Sequence, residues 1–97
     1  MRIIAKRTLR EFWLKHPDAK APLQAWHSEV AAADWSGPEN VKRHFRSASF
    51  LAGNRIVFNI GGNKYRLVVK VNYYYKIVYV RFIGTHAHYN RINVEVI

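Results

Sequence analysis

The spacing of apolar residues divides the chain into a helical part followed by a strand part. Residues 2–5, "RIIA", predict a short first strand. After this strand, apolar side chains recur every three or four positions, which is the pattern of an amphipathic helix. The first such stripe consists of Leu9, Phe12, Trp13 and His16. Pro17 ends this helix, because proline has no backbone N–H to donate within a helix.

Two further helices are predicted before residue 46. Pro22 suits the first turn of the second helix. The apolar stripe of that helix consists of Leu23, Trp26, Val30 and Ala33. A shorter third helix carries Val41 and Phe45. The pairs with capping-box spacing, which predict the starts of the first and third helices, are Thr8 with Glu11 and Ser36 with Glu39.

From residue 55 onward the apolar period changes from that of a helix to that of a strand. Three strands are predicted, at 55–60, 64–71 and 77–83, with a turn at "GGN" (61–63) between the first two. The apolar face carries Ile56, Phe58 and Ile60, then Tyr65, Leu67, Val69 and Val71, then Val78, Val80 and Phe82. The opposite face carries Lys64, Arg66, Val68 and Lys70, then Ile77, Tyr79, Arg81 and Ile83.

These two periodicities together predict an α+β fold that forms one domain over residues 1–97. The short N-terminal strand is followed by two to three helices, which pack on one face of a mainly antiparallel sheet. Short connections between the later strands favour antiparallel neighbours. The other face of the sheet stays open to solvent, as antiparallel sheets permit. The stretch "RFIGTHAHYNRI" (81–92) is expected to hang at the rim of that open face.

The positive charge is concentrated in the strand part. Residues 1–40 carry six basic and five acidic side chains, whereas residues 41–97 carry ten basic side chains and one acid, Glu95. A surface this one-sided attracts polyanions, and nucleic acid first among them. The absence of cysteine excludes disulfides and thiolate chemistry. No segment is apolar for long enough to span a bilayer and no signal peptide is evident, so the cytoplasm is the expected compartment.

The scarcity of carboxylates also limits the chemistry. His86 and His88 have a spacing that would align two metal ligands on a strand, but only Glu95 could add a carboxylate from the same part of the chain. No metal or other cofactor is therefore expected. Cations, histidines and tyrosines suit RNA cleavage by the ribose 2′-hydroxyl, because this reaction needs proton transfer and charge stabilisation but no carboxylate. They equally suit RNA binding without catalysis, and composition leaves both open.

Two stretches resemble a known family. The run "VFNIGGNKYRLVVKV" (57–71) and the later "YVRFIGTHAHYNRI" (79–92) are similar to the HigB toxins of bacterial type II toxin–antitoxin systems, which belong to the RelE-like toxins. The resemblance implies a RelE-like domain and a bacterial, cytoplasmic mRNA endonuclease that cuts messages in the ribosomal A site. It also implies a cognate HigA-type antitoxin with a helix-turn-helix DNA-binding domain.

The resemblance further implies which residues form the site. Arg66 matches the sheet arginine that such toxins hold against the scissile phosphate, while His86 and Tyr89 match the active-site positions after the last main strand. Asn90 stands where an acid is common in the family, so the order of acid and base stays open. The residues expected to bind RNA beside this catalytic set are Lys64, Lys70, Tyr79, Arg81 and His88.

Two alternatives to a nuclease remain. The first is a non-catalytic RNA- or ribosome-binding module, which would bind RNA with a steep salt dependence and produce no new RNA ends. The second is a protein whose basic face docks an acidic partner. A toxin is compatible with the second alternative, because an antitoxin could cover the same face.

Overall fold

The computed structural model describes residues 1–97, which form five strands and four α-helices. A single 3₁₀ turn, Pro17–Ala19, separates the first two helices. In chain order the elements are β1 (Arg2–Ile4), α1 (Lys6–Lys15), α2 (Lys20–Ala32), α3 (Pro38–His44), β2 (Ser49–Leu51), β3 (Arg55–Ile60), β4 (Tyr65–Asn72), β5 (Ile77–Thr85) and α4 (His86–Tyr89). None of the helices is long and apolar enough to cross a membrane.

The five strands form one sheet in the order β1-β5-β4-β3-β2. The pairs β2–β3, β3–β4 and β4–β5 are antiparallel, as the short connections predict. β1 instead runs parallel to β5. The helices and strands between them in the chain provide the long connection that a parallel pair requires. The predicted α+β fold with a mainly antiparallel sheet is confirmed. The short edge strand β2 was not predicted.

The core lies between the sheet and the first three helices. The helices contribute Leu9 and Trp13 from α1, Leu23, Trp26 and Val30 from α2, and Val41 from α3. The sheet contributes the alternating apolar residues of β3 and β4, among them Ile56, Phe58, Leu67 and Val69. Trp26 contacts Phe58 edge-on, with ring centres 5.5 Å apart. Burying these side chains supplies the main stabilisation of the fold, and it fixes which face of the sheet the helices leave uncovered.

Neither predicted capping box forms. α1 begins at Lys6 without a side-chain cap, so Thr8 already lies inside the helix. At the start of α3, the side-chain oxygen of Asn40 accepts hydrogen bonds from the backbone N–H groups of Ser36 and Gly37, each at 3.0 Å. Asn40 therefore caps the start of α3, whereas the spacing predicted that Glu39 would do so.

A β-bulge in β5 reverses the predicted alternation near its end. Val80 pairs with Val69 whereas Phe82 pairs with Val68, so Arg81 is an extra residue in the ladder. One extra residue moves every later side chain to the other face. Ile83 therefore lies in the core, and Phe82 lies on the face away from the helices beside Val68. The predicted faces of both residues were wrong.

The face away from the helices is only partly open. The C-terminal segment, residues 86–97, turns back over it, with α4 in contact with β4 and β5. At the other end of the segment, the carbonyl oxygen of Ile97 accepts a hydrogen bond from Arg55 Nε at 2.8 Å. Val57 and Val68 pair across this face and are almost fully buried, although neither belongs to the helix-side core. The expectation of a fully open face was wrong, because the C-terminal segment covers the apolar side chains of these two valines.

Candidate active site

Arg66 stands on the partly open face in β4, the central strand of the sheet. Its neighbours across the sheet are Asn59 on β3 and Gly84 on β5. Hydrogen bonds on both sides hold the backbone at this point, so the guanidinium projects from a rigid element. Arg66 is half-buried, which limits the conformations that its long side chain can adopt.

α4 brings two more side chains to this arginine. The helix begins directly after β5, and the Thr85 hydroxyl caps it by accepting a hydrogen bond from the His88 N–H at 3.2 Å. His86 and Tyr89 are three residues apart and lie on the same side of the helix. Arg66 Nε donates to His86 Nε2 at 3.3 Å, and its Cζ lies 4.9 Å from the centre of the Tyr89 ring. The structure thus places Arg66, His86 and Tyr89 together.

In the hydrogen bond between Arg66 and His86 the guanidinium nitrogen can only donate, so Nε2 of His86 is the acceptor. None of the ion pairs in the structure includes Arg66. The remaining donors of its guanidinium are thus not committed to a carboxylate and can bind an anion.

His88 faces different neighbours. Its ring packs edge-on against Phe82, with centres 4.9 Å apart, and the side chain is exposed. His86 and His88 lie on a helix and not on a strand, so the alignment that would let them share a metal is absent. No three side chains of His, Asp or Glu converge anywhere in the chain. Of the two histidines, only His86 reaches Arg66.

Three of the residues predicted to bind RNA lie together farther along the same face. Lys70 pairs directly with Tyr79 across the sheet, and both line a depression of about 520 Å³ with Arg81 of the bulge. Neither Lys70 nor Arg81 takes part in an ion pair. Lys70 is four residues from Arg66, which is roughly 13 Å along a strand. This cationic cluster is therefore adjacent to the Arg66 site but separate from it.

Lys64 lies on the other side of the sheet, so its predicted place on the open face was wrong. It precedes β4, and its ammonium hydrogen-bonds to the Asp18 carboxylate in the 3₁₀ turn between α1 and α2. The Tyr65 hydroxyl donates to the same carboxylate. The hydrogen bond from Lys64, with that from Tyr65, lowers the pKa of Asp18, while Asp18 raises the pKa of Lys64. Lys64 thus joins the sheet to the 3₁₀ turn.

Two residues that hold α4 in place were not predicted. The ring of Phe82 lies against His88 and is 6.4 Å from the ring of Tyr89. A Cβ on Gly84 would lie 2.5 Å from Phe82 Cζ and 3.1 Å from His88 Nδ1, so this close approach requires glycine. A glycine inside a strand is a known sign of close approach, but the predicted alternation placed Phe82 on the wrong face and concealed the contact.

Residues 19–92 match the family model HigB_toxin, the RelE-like toxic component of a toxin–antitoxin system. The chain belongs to this family, and a toxic component of such a system implies a cognate antitoxin.

Individual relatives extend the similarity over nearly the whole chain. The mRNA interferase HigB of Escherichia coli O6:H1 is 29% identical over 94 residues, which cover 95% of this chain and 91% of that protein. The mRNA interferase toxin HigB of Escherichia coli strain K12 is 30% identical over 92 residues, covering 93% of this chain and 88% of the relative. The mRNA interferase HigB of Shigella flexneri matches with the same identity and coverage.

Proposed function

We propose that this chain is an mRNA interferase, an endoribonuclease that cuts mRNA on the ribosome without a metal ion and so inhibits translation. The observation that carries the proposal is the convergence of Arg66, His86 and Tyr89 on a face rich in unpaired cations. The relatives that carry the name mRNA interferase align over most of their length with this chain. The protein would act in the bacterial cytoplasm, where its substrate is translated.

The proposed reaction is attack by a ribose 2′-hydroxyl on its own 3′-phosphodiester. The bond from the 2′ oxygen to phosphorus forms and the bond from phosphorus to the 5′ oxygen breaks. The products are a 2′,3′-cyclic phosphate and a 5′-hydroxyl. The protein must accept the proton of the attacking hydroxyl, supply a proton to the leaving oxygen, and stabilise the charge on the phosphorus oxygens in the transition state.

Each member of the trio has a role in this reaction. The uncommitted donors of Arg66 bind the scissile phosphate in the bidentate manner that a guanidinium allows. His86 and Tyr89 share the two proton transfers, since an imidazole and a phenol can each accept and donate a proton. The contact of the Tyr89 ring with the guanidinium keeps Arg66 oriented.

The remaining cations would hold the message and the ribosome. Lys70 and Arg81 bind backbone phosphates, and Tyr79 offers a ring for stacking. His88, which is exposed at the rim of the site, would contact RNA without taking part in the chemistry. The substrate would be mRNA in the ribosomal A site. A HigA-type antitoxin with a helix-turn-helix domain would neutralise the toxin.

Cleavage during translation tests the proposal directly. A reconstituted translation reaction is supplied with the purified protein, and new 5′ ends on the message are mapped by primer extension. Wild type should produce such ends, and Arg66→Ala should not. Arg10→Ala is the matched control, because Arg10 is an exposed arginine on the helix layer and its loss should leave cleavage intact.

The same reaction separates the proposal from a non-catalytic RNA-binding module. Such a module would bind RNA and inhibit translation without producing new ends. If the wild-type protein yields no ends while it binds the ribosome, the nuclease assignment fails. Equal cleavage by wild type and Arg66→Ala would remove the assignment of this site.

A further inference from the structure

The depression that contains Lys70, Tyr79 and Arg81 has features that phosphate binding alone leaves unexplained. Its wall also includes Tyr73 and Tyr74 from the turn between β4 and β5, and Asn72 at the end of β4. We propose that this depression is a base-binding subsite for single-stranded RNA, which takes a nucleotide next to the one that is cleaved. Because the strand bound there is identified as the message, the inference rests on the proposed function.

The tyrosines supply stacking surfaces. Tyr74 is 85% exposed, so its ring is accessible to a bound base. Tyr74 meets Tyr75 at 90° with ring centres 4.9 Å apart, so these two rings do not stack in parallel on each other. Tyr79 lies across the depression beside Lys70. Exposed aromatic rings next to a cation are the common means by which proteins bind unpaired bases.

Polar side chains that line the depression can bind the phosphate and the base edge of a nucleotide. The unpaired cations Lys70 and Arg81 can each bind a phosphate. The side-chain oxygen of Asn72 already accepts the Tyr75 N–H at 3.0 Å, so its amide NH₂ remains to donate to an acceptor on a base edge. No acidic residue lines the depression. An acidic peptide would satisfy the two cations, but it would leave the ring faces without partners.

The position of the depression indicates which nucleotide it takes. Lys70 lies roughly 13 Å from Arg66 along β4, and His86 and Tyr89 hold the Arg66 guanidinium. Lys70 is therefore placed to bind a different phosphate of the same RNA strand. The base attached there would enter between Tyr74 and Tyr79. The subsite would thus hold the message in register beside the scissile phosphate and contribute to sequence preference.

A binding measurement tests this subsite without requiring cleavage. The probe is a fluorescein-labelled single-stranded oligoribonucleotide with 2′-O-methyl groups throughout, which lacks the attacking hydroxyl, and binding is followed by fluorescence anisotropy. Loss of one stacked base costs affinity, so Tyr74→Ala should raise Kd by about tenfold. The salt dependence should stay unchanged, because no charge is lost. Tyr75→Phe is the matched control: it changes an exposed tyrosine that does not line the depression but keeps the ring that meets Tyr74, so Kd should remain near the wild-type value.

Two further measurements show whether weaker binding results from the loss of base stacking. An oligonucleotide with abasic positions should bind wild type and Tyr74→Ala equally, because it offers no base to stack. Tyr79→Ala should weaken binding as Tyr74→Ala does, and thermal unfolding of both variants checks that they remain folded. If Tyr74→Ala binds RNA as tightly as wild type, the subsite is overturned. If Tyr74→Ala weakens only the complex with the antitoxin, the surface docks a protein and the inference is likewise overturned.

The subsite and the proposed function can fail separately. A protein that binds RNA through Tyr74 but creates no ends during translation would retain the subsite and lose the nuclease assignment. A protein that cuts mRNA equally well with and without the Tyr74 ring, and binds it equally tightly, would retain the nuclease and lose the subsite.

Discussion

A single added methyl at Gly84 should disable the site while leaving the fold intact. Gly84 pairs with Arg66 across the sheet. In Gly84→Ala, the new Cβ would lie 2.5 Å from Phe82 Cζ and 3.1 Å from His88 Nδ1. Both contacts are too short, so the Phe82 ring has to move. Because this ring packs against α4, its movement displaces the helix that carries His86.

The size of the effect follows from this geometry. Overpacking by one methyl group costs about 1–3 kcal/mol, and the value should be near the lower end because α4 lies at the surface. Such a loss lowers Tm by about 4–8 °C per kcal/mol for a chain of this size. Catalysis is more sensitive, since displacement of a reacting group by about 1 Å costs about a hundredfold in rate. We therefore expect a folded protein with about one hundredth of the wild-type cleavage rate.

Cleavage rates in a translation reaction, measured alongside thermal unfolding, test this expectation. Gly37→Ala is the matched control, because the three atoms nearest to a Cβ there all belong to the carboxylate of Glu39, an exposed side chain that can move into solvent. Wild-type cleavage by Gly84→Ala would refute the reasoning.

Three further variants probe separate parts of the molecule. Arg66→Lys keeps the charge but loses the bidentate fork, so cleavage in translation should fall about a hundredfold or more while RNA affinity by anisotropy changes little. Hydrogen bonds from Lys64 and Tyr65 hold the pKa of the Asp18 carboxyl below its ordinary value of 3.8. The carboxylate therefore stabilises the fold fully above that pH and progressively less as pH falls below it, and Asp18→Asn should remove this acid-range loss in thermal unfolding followed by circular dichroism. Lys70→Ala should reduce the slope of log Kd for RNA against log salt concentration by about 0.7, with no change in Tm.

The pattern of apolar residues was sufficient to predict the layers of the fold. Helical spacing located α1 and α2, and alternation located β3 and β4, because each of these elements buries one face against the same core. The parallel direction of β1 could not be predicted, since its pairing with β5 depends on contacts across nearly the whole chain. β2 is only three residues long, which is too short to show a period.

Family resemblance predicted that Arg66, His86 and Tyr89 share one site, and the structure brings these three side chains together. Alternation alone left the end of β5 as a polar rim. Two local features prevented a better prediction. The extra residue Arg81 reverses the faces of all later positions in the strand. α4 is only four residues long, which is too short to show a helical period, and its one sequence signal is Thr85 at the N-cap. The bulge and α4 together bring His86 and Tyr89 next to Arg66.

The chemical ends of the cut message test the central claim most directly. Attack by the 2′-hydroxyl, with Arg66 on the phosphate and proton transfer by His86 and Tyr89, leaves a 2′,3′-cyclic phosphate or its hydrolysis product upstream and a 5′-hydroxyl downstream. Attack by water in the manner of metal-dependent nucleases instead leaves a 3′-hydroxyl and a 5′-phosphate. The account predicts that mRNA cut by this protein during translation carries a 5′-hydroxyl that a polynucleotide kinase labels without prior phosphatase treatment. A 5′-phosphate at the cut would contradict it.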